Sequence, residues 1–97
     1  MRRIMFSAAA EQQYRAFSKV KQTQLKEGIK LHLGENDPAA ESRNKFRLRR
    51  PSPHADFELR LHELRVFYRI SRERVEVLLL GEKVGDKLYV GGEEFEL

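Results

Sequence analysis

The spacing of apolar residues changes along the chain from a helical period to a strand period. In the first third, apolar residues recur at intervals of four and three on one helical face: Ala10, Tyr14 and Phe17. Ser7 stands where it can cap this helix, and Ser18 stands where it can cap a second helix over residues 19–33. The pattern therefore predicts a short strand at residues 4–6, followed by a helical hairpin.

The second predicted helix is followed by a polar connecting segment. Gly34 suits the left-handed residue that often ends a helix, and the proline that closes residues 35–38 indicates a turn. Further along, Phe46 and Leu48 alternate with basic residues, which is a weak signal of a short edge strand. We expect the remainder of this segment to connect the helices to a sheet.

From residue 57 onward the apolar period is two, which is the period of a β-strand. Strands over residues 57–61 and 64–70, joined by a turn at residues 62–63, can pair in a register that makes one side wholly apolar. In that register Phe57 faces Tyr68, Leu59 faces Val66 and Leu61 faces Leu64. We expect this side of the hairpin to be buried.

Two further strands complete the predicted sheet. Residues 75–80 are apolar on both faces, which is typical of a central strand, and residues 87–90 form a short strand between glycines. The sequence therefore predicts an α+β fold in one domain over residues 1–97. Its parts are a short N-terminal strand, a helical hairpin, and an antiparallel meander of three to four strands forming one sheet.

Composition and charge narrow the class of protein. With 40% hydrophobic residues the chain is not of the disordered type, and no apolar run is long enough for a secretion signal or a membrane span. The absence of cysteine excludes disulfides and thiolate metal sites, and it fits the reducing cytoplasm. The net charge of +4 is unevenly distributed, because residues 1–74 carry +8 and residues 75–97 carry −4.

Two groups of cations give the chain its candidate chemistry. The predicted register sets Arg60 directly across from Arg65 on the polar side of the hairpin, a like-charge pair that an anion would stabilise. Guanidinium groups match phosphate oxygens, and Phe67 on the same side offers a ring on which a nucleobase can stack. The alternative is a solvated sheet face on which Glu58 screens the arginines. The candidate RNA-binding residues are Arg43, Lys45, Arg47, Arg49, Arg50 and Phe67.

No motif for metal or nucleotide chemistry accompanies these cations. The three histidines have no spacing typical of a metal site, and the chain has neither a Walker-type phosphate loop nor a Gly-x-Ser-x-Gly nucleophile turn. We therefore predict no metal and no cofactor.

The order and spacing of these pieces resemble the RelE/ParE superfamily of type II toxin-antitoxin toxins. The resemblance rests on Phe57-Glu-Leu-Arg-Leu-His-Glu-Leu-Arg-Val-Phe-Tyr-Arg-Ile70 and, after one more strand, Gly81-Glu-Lys-Val-Gly-Asp-Lys-Leu-Tyr-Val90. It covers nearly the whole chain. RelE-like members are ribosome-dependent endoribonucleases that cut messenger RNA, whereas ParE-like members share the fold and inhibit DNA gyrase.

The resemblance implies catalytic roles for five residues. Arg60, Arg65 and Tyr89 match basic and tyrosine positions of RelE-like toxins, Lys83 replaces a family arginine, and Glu58 stands where the best-known members have a lysine. The implied reaction is attack of a ribose 2′-hydroxyl on the adjacent phosphate, and it requires no metal.

The resemblance also implies partners. These are the ribosome, messenger RNA and a small antitoxin with an acidic binding segment; no membrane is involved, and the toxin alone is expected to be monomeric. The alternatives are a ParE-like gyrase inhibitor and a catalytically weak module that binds RNA or antitoxin. The acidic residues 93–96 are a further departure, because their glutamates can fold near the cationic face and compete with phosphate.

Overall fold

A computed structural model describes residues 2–97, which form two helices packed on one face of a single sheet. Strand β1 covers Arg3–Phe6, and helices α1 and α2 cover Ala8–Ala16 and Lys19–Ile29. The Ser7 side chain accepts a hydrogen bond from the Ala10 backbone N–H (3.0 Å), and Ser18 caps α2 in the same way. The predicted strand, hairpin and capping serines are confirmed.

The end of α2 differs from the prediction. The chain continues as a π-helical segment, Lys30–Glu35, and Gly34 lies inside it rather than in the left-handed conformation. Side chains satisfy the last carbonyl groups instead, because the Asn36 amide donates to the Leu31 carbonyl (2.7 Å) and Lys45 donates to the His32 carbonyl (2.8 Å). A left-handed glycine is therefore not needed at this helix end.

The sheet has more strands than the three to four predicted. After β1, the strands are β2 Lys45–Arg47, β3 Phe57–Leu61, β4 Leu64–Ser71, β5 Arg74–Val84, β6 Lys87–Val90 and β7 Glu93–Glu94. They lie in the order β2-β3-β4-β5-β6-β7, all antiparallel, while β1 runs parallel to β5. The α+β class is confirmed. The additional strands are the weakly signalled edge strand β2 and the two-residue β7, which follows a turn of two positive-φ glycines.

The register predicted for β3 and β4 is confirmed, and it positions the core. The facing apolar pairs lie under the helices and pack with Leu25, Ile29 and Leu33. These three residues are each at most 4% exposed. The tight turn forms without glycine because His62 itself adopts φ 57°. Strand β5 is central, pairing with β4 on one side and with β1 and β6 on the other.

The core also contains a polar group, the hydroxyl of Tyr68. The Tyr68 hydroxyl donates to the Pro38 carbonyl (2.7 Å) from a fully buried position, and burial raises the pKa of its phenol. This bond ties the connecting segment to the sheet. Among residues 2–97, no helix has the length and apolar character needed to cross a membrane.

Candidate nucleic-acid interface

The sheet has a helix-covered face and a second face, which we call the arginine face. Side chains of residues paired across a ladder point to the same side, so the pairs of Glu58 with Phe67 and of Arg60 with Arg65 both lie on this second face. Lys83 joins them, because it is two residues beyond Gly81, the partner of Arg65 on β5. The structure therefore brings four of the predicted catalytic residues onto one surface.

The anion that the paired arginines require is supplied by the chain itself. Oε2 of Glu58 lies 2.8 Å from Nε of Arg60 and 3.4 Å from Nε of Arg65. Glu58 is only 8% exposed, so this carboxylate is a buried partner of both guanidinium groups. A bound phosphate has to compete with Glu58 for them.

Arg65 and Arg60 differ in their availability. Arg65 donates through Nη1 to the carbonyls of His62 and Leu64, and its side chain is 11% exposed. Within residues 2–97 its Nε makes the ion pair with Glu58 but no hydrogen bond. Burial is the larger cause that lowers the pKa of Arg65, and the positive charge of the neighbouring Arg60 is the second. A guanidinium nevertheless remains charged at any ordinary pH. The Arg60 side chain is 49% exposed. Arg60 is therefore the guanidinium that an incoming ligand meets first.

Beside Arg60 the surface forms a cavity of about 640 Å³, which we call the arginine cavity. It lies between β2, the loop before it and β3. Its walls are formed by Glu41, Ser42, Arg43, Phe46, Arg47, Leu48, Arg49, Glu58 and Arg60. The guanidinium carbon of Arg60 lies 4.9 Å from the centre of the Phe46 ring, a cation–π contact. Cations and an aromatic ring in one concave surface are the groups that hold single-stranded nucleic acid.

Two of the predicted RNA-binding residues, Lys45 and Phe67, are buried. Lys45 is 4% exposed on the helix side, where its ammonium donates to the carbonyls of His32 and Asp37, and burial lowers its pKa. Arg47 stacks on Phe57 at 4.6 Å, but it is exposed and lines the arginine cavity. Phe67 is on the expected face but 1% exposed, so the prediction of an open ring is wrong. Arg43, Arg49 and Arg50 are exposed, and the first two line the cavity.

Tyr89 does not join the other predicted catalytic residues. It pairs with Glu82, which in turn pairs with Leu64 of the core, so its side chain lies on the helix-covered face. There it lines a cavity of about 420 Å³ together with Phe17 and Lys21 of the helical hairpin. The carry-over of a tyrosine that acts beside Arg60 and Arg65 is wrong for this structure, because the alternation of β6 turns the ring away.

The acidic C-terminal residues have local partners. Glu94 pairs with Lys87 across β6 and β7 (3.7 Å) and, within residues 2–97, no ion pair joins glutamates 93–96 to the arginines at 43–50. Phe95 instead contacts His54 with the ring centres 5.0 Å apart. The carboxylate that competes with phosphate is Glu58 rather than this segment.

Phe46 is the residue that sequence reasoning missed as a binding group. Its alternation with Lys45 and Arg47 signalled a strand, and its pairing with Glu58 then places it on the arginine face. The same alternation could have identified it, had β2 been paired with β3.

Comparisons with protein-family models, curated proteins and solved structures found no match to this chain, so the resemblance to RelE/ParE toxins stays a prediction.

Proposed function

We propose that this protein is a RelE-like toxin that inhibits translation in the cytoplasm by binding and cleaving messenger RNA on the ribosome, without a metal. The observation that carries the proposal is the arginine face. Arg60 and Glu58 adjoin a cavity lined by further arginines, and this arrangement supports binding of a phosphodiester beside a carboxylate.

The proposed chemistry uses Glu58 and Arg60. A phosphate that enters the cavity binds the exposed guanidinium of Arg60 and releases the Glu58 carboxylate from it. Glu58 then accepts the proton of the ribose 2′-hydroxyl as that oxygen attacks the phosphorus, and Arg60 stabilises the charge that develops on the phosphate oxygens. The leaving 5′-oxygen takes its proton from water. Arg65 positions Glu58 through their ion pair. Lys83 adds positive charge to the same face.

A groove on the other side of the molecule supports an acidic antitoxin as partner. A cavity of about 900 Å³ between β1 and the helices has an apolar floor that includes Ile4, Phe6 and Ile29. Five cations and two carboxylates line it: Arg2, Arg3, Arg15, Lys26 and Lys30 against Glu11 and Glu35, so its net charge is positive. This combination favours an amphipathic segment that carries carboxylates.

The test is to add the protein to a translating extract and map the 5′ ends of the messenger. We expect cuts within translated codons, and about 100-fold slower cutting for Arg60→Gln because one stabilising donor is lost. Tyr89→Phe should cut as the unchanged protein does, since its ring lies on the other face. Arg15→Gln, which removes an exposed cation on α1, is the matched control.

A second candidate is a module that binds RNA but does not cleave it. The position of Tyr89 on the helix-covered face favours it, because the predicted catalytic tyrosine does not lie beside Glu58. Inhibited translation with an intact messenger would support this candidate. A DNA-damage response with normal translation would indicate a ParE-like gyrase inhibitor instead, and it would overturn the proposed function.

A further inference from the structure

The arginine cavity contains groups that can bind and select one nucleobase. The Arg60 guanidinium lies over the Phe46 ring, 4.9 Å from its centre, and its side chain is 49% exposed. The outer face of this planar guanidinium is a flat surface on which a base stacks regardless of its identity. The volume of about 640 Å³ lies within the range of small-ligand sites. Stacking alone therefore predicts binding without a preference among bases.

Glu41 supplies the polar group that can discriminate. It lies on the cavity wall, and among residues 2–97 its one hydrogen-bond partner is the backbone N–H of Arg47, 3.2 Å from Oε1. A carboxylate has about four acceptor positions, so most of the hydrogen-bonding capacity of Glu41 is available. Glu58, the other carboxylate on the wall, is held by two arginines. Glu41 is therefore the acceptor that a base in this cavity meets.

A carboxylate selects among bases by the donors on their Watson–Crick edges. Guanine carries two adjacent donors, N1–H and the 2-amino group, which match the two carboxylate oxygens. Adenine and cytosine each set an amino group beside a ring-nitrogen acceptor, and uracil sets one N–H between two carbonyls; each would bring an acceptor against the carboxylate. Exposed Arg43 and Arg49 can hold the flanking phosphates.

We propose that the arginine cavity binds one guanine of a single-stranded RNA, with the base stacked on the Arg60 guanidinium that Phe46 supports and its edge read by Glu41. The proposal rests on the proposed function insofar as the ligand is RNA, and it adds the base class and the residue that selects it.

The test measures binding of fluorescently labelled UUUGUUU and UUUAUUU RNA by anisotropy. We expect the guanine heptamer to bind about tenfold more tightly, which is the effect of one good bidentate contact. Replacing guanine with inosine, which lacks the 2-amino group, should remove most of this advantage. Free guanosine monophosphate should compete weakly, because it carries one phosphate, whereas guanosine within the heptamer has one on each side for Arg43 and Arg49.

Variants distinguish a loss of base selection from a loss of folding and from a loss of general RNA affinity. Glu41→Gln retains an oxygen for the Arg47 N–H but opposes guanine with an amide donor, so we expect the preference to shift toward adenine. Phe46→Ala should weaken both heptamers, Phe46→Tyr should preserve binding, and Glu27→Gln on α2 should change nothing. Equal binding of both heptamers, or a guanine preference unaffected by Glu41→Gln, would overturn the inference. Salt-sensitive RNA binding that persists in that case would leave the proposed function standing.

Discussion

Lys45 shows how the environment of a single residue decides its role. It belongs by sequence to the densest run of cations, yet its ammonium is buried against the carbonyls of His32 and Asp37, at 2.8 and 2.7 Å. A buried lysine requires such partners, because desolvation strongly disfavours its charged form. Its neighbours Arg43 and Arg49 remain exposed and keep their charge available for ligands.

We predict that Lys45→Met lowers the free energy of unfolding by about 2 kcal/mol, because two carbonyls lose a charged donor. Urea denaturation measures this change. Lys26→Met removes an exposed lysine from α2 and should stay within about 0.5 kcal/mol of the unchanged protein. RNA affinity of the folded Lys45→Met variant should be normal; a specific loss of RNA binding at unchanged stability would contradict the buried role.

At the scale of elements, the pairing of strands decides which side chains meet. The predicted hairpin of β3 and β4 already carried the Arg60–Arg65 pair, since a period of two and a two-residue turn determine that register. The pairing of β2 with β3 depends on a longer connection, residues 48–56, and on a weaker pattern. The pairing of β6 with β5 depends on the extension of β5 to Val84, beyond the strand predicted at residues 75–80. Those two pairings bring Phe46 onto the arginine face and carry Tyr89 away from it.

The close approach of β6 to β5 depends on Gly81. A Cβ atom there would lie 2.9 Å from the Tyr89 backbone oxygen, with the Leu88 and Val90 side chains also near. We predict that Gly81→Ala destabilises the protein by about 2 kcal/mol, because the backbone of β6 has to move. Thermal unfolding measures this effect.

Gly34→Ala is the matched control for that prediction. Its added Cβ would meet only Ile4 Cδ1, at 3.4 Å, and its backbone is not left-handed. We expect stability equal to or slightly above that of the unchanged protein. A loss as large as that of Gly81→Ala would instead indicate the left-handed helix end that the sequence suggested.

At the scale of the whole molecule, charge is divided between two surfaces. The arginine cavity and the cationic groove beside β1 lie on different parts of the fold, so the excess of +8 over residues 1–74 does not form one continuous patch. Such a division allows RNA and an acidic partner to bind through separate cations. The electrostatic part of RNA binding should then depend on the arginine cavity alone.

We predict that RNA affinity falls steeply with salt, and that the double variant Arg43→Gln/Arg49→Gln reduces the slope of log K against log salt by about 1.4, the value for two single-strand phosphate contacts. Titrations of a uridine heptamer between low and moderate salt measure the slope. Lys19→Gln/Lys26→Gln on α2 removes the same charge from the helix layer and should leave the slope unchanged. Equal reductions in the two double variants would indicate a diffuse charge effect.

The sequence by itself determined the helical hairpin, the register of β3 and β4, and the like-charge pair on the polar side of the sheet. These features follow from short-range spacing, capping serines and a tight turn, which act over a few residues. Only the tertiary structure decided that Glu58 bridges that pair and that Lys45 and Phe67 are buried. It also decided that Phe46 lies on the arginine face and that Tyr89 does not. Burial and the face of a distant strand depend on long-range pairing, which local periodicity does not encode.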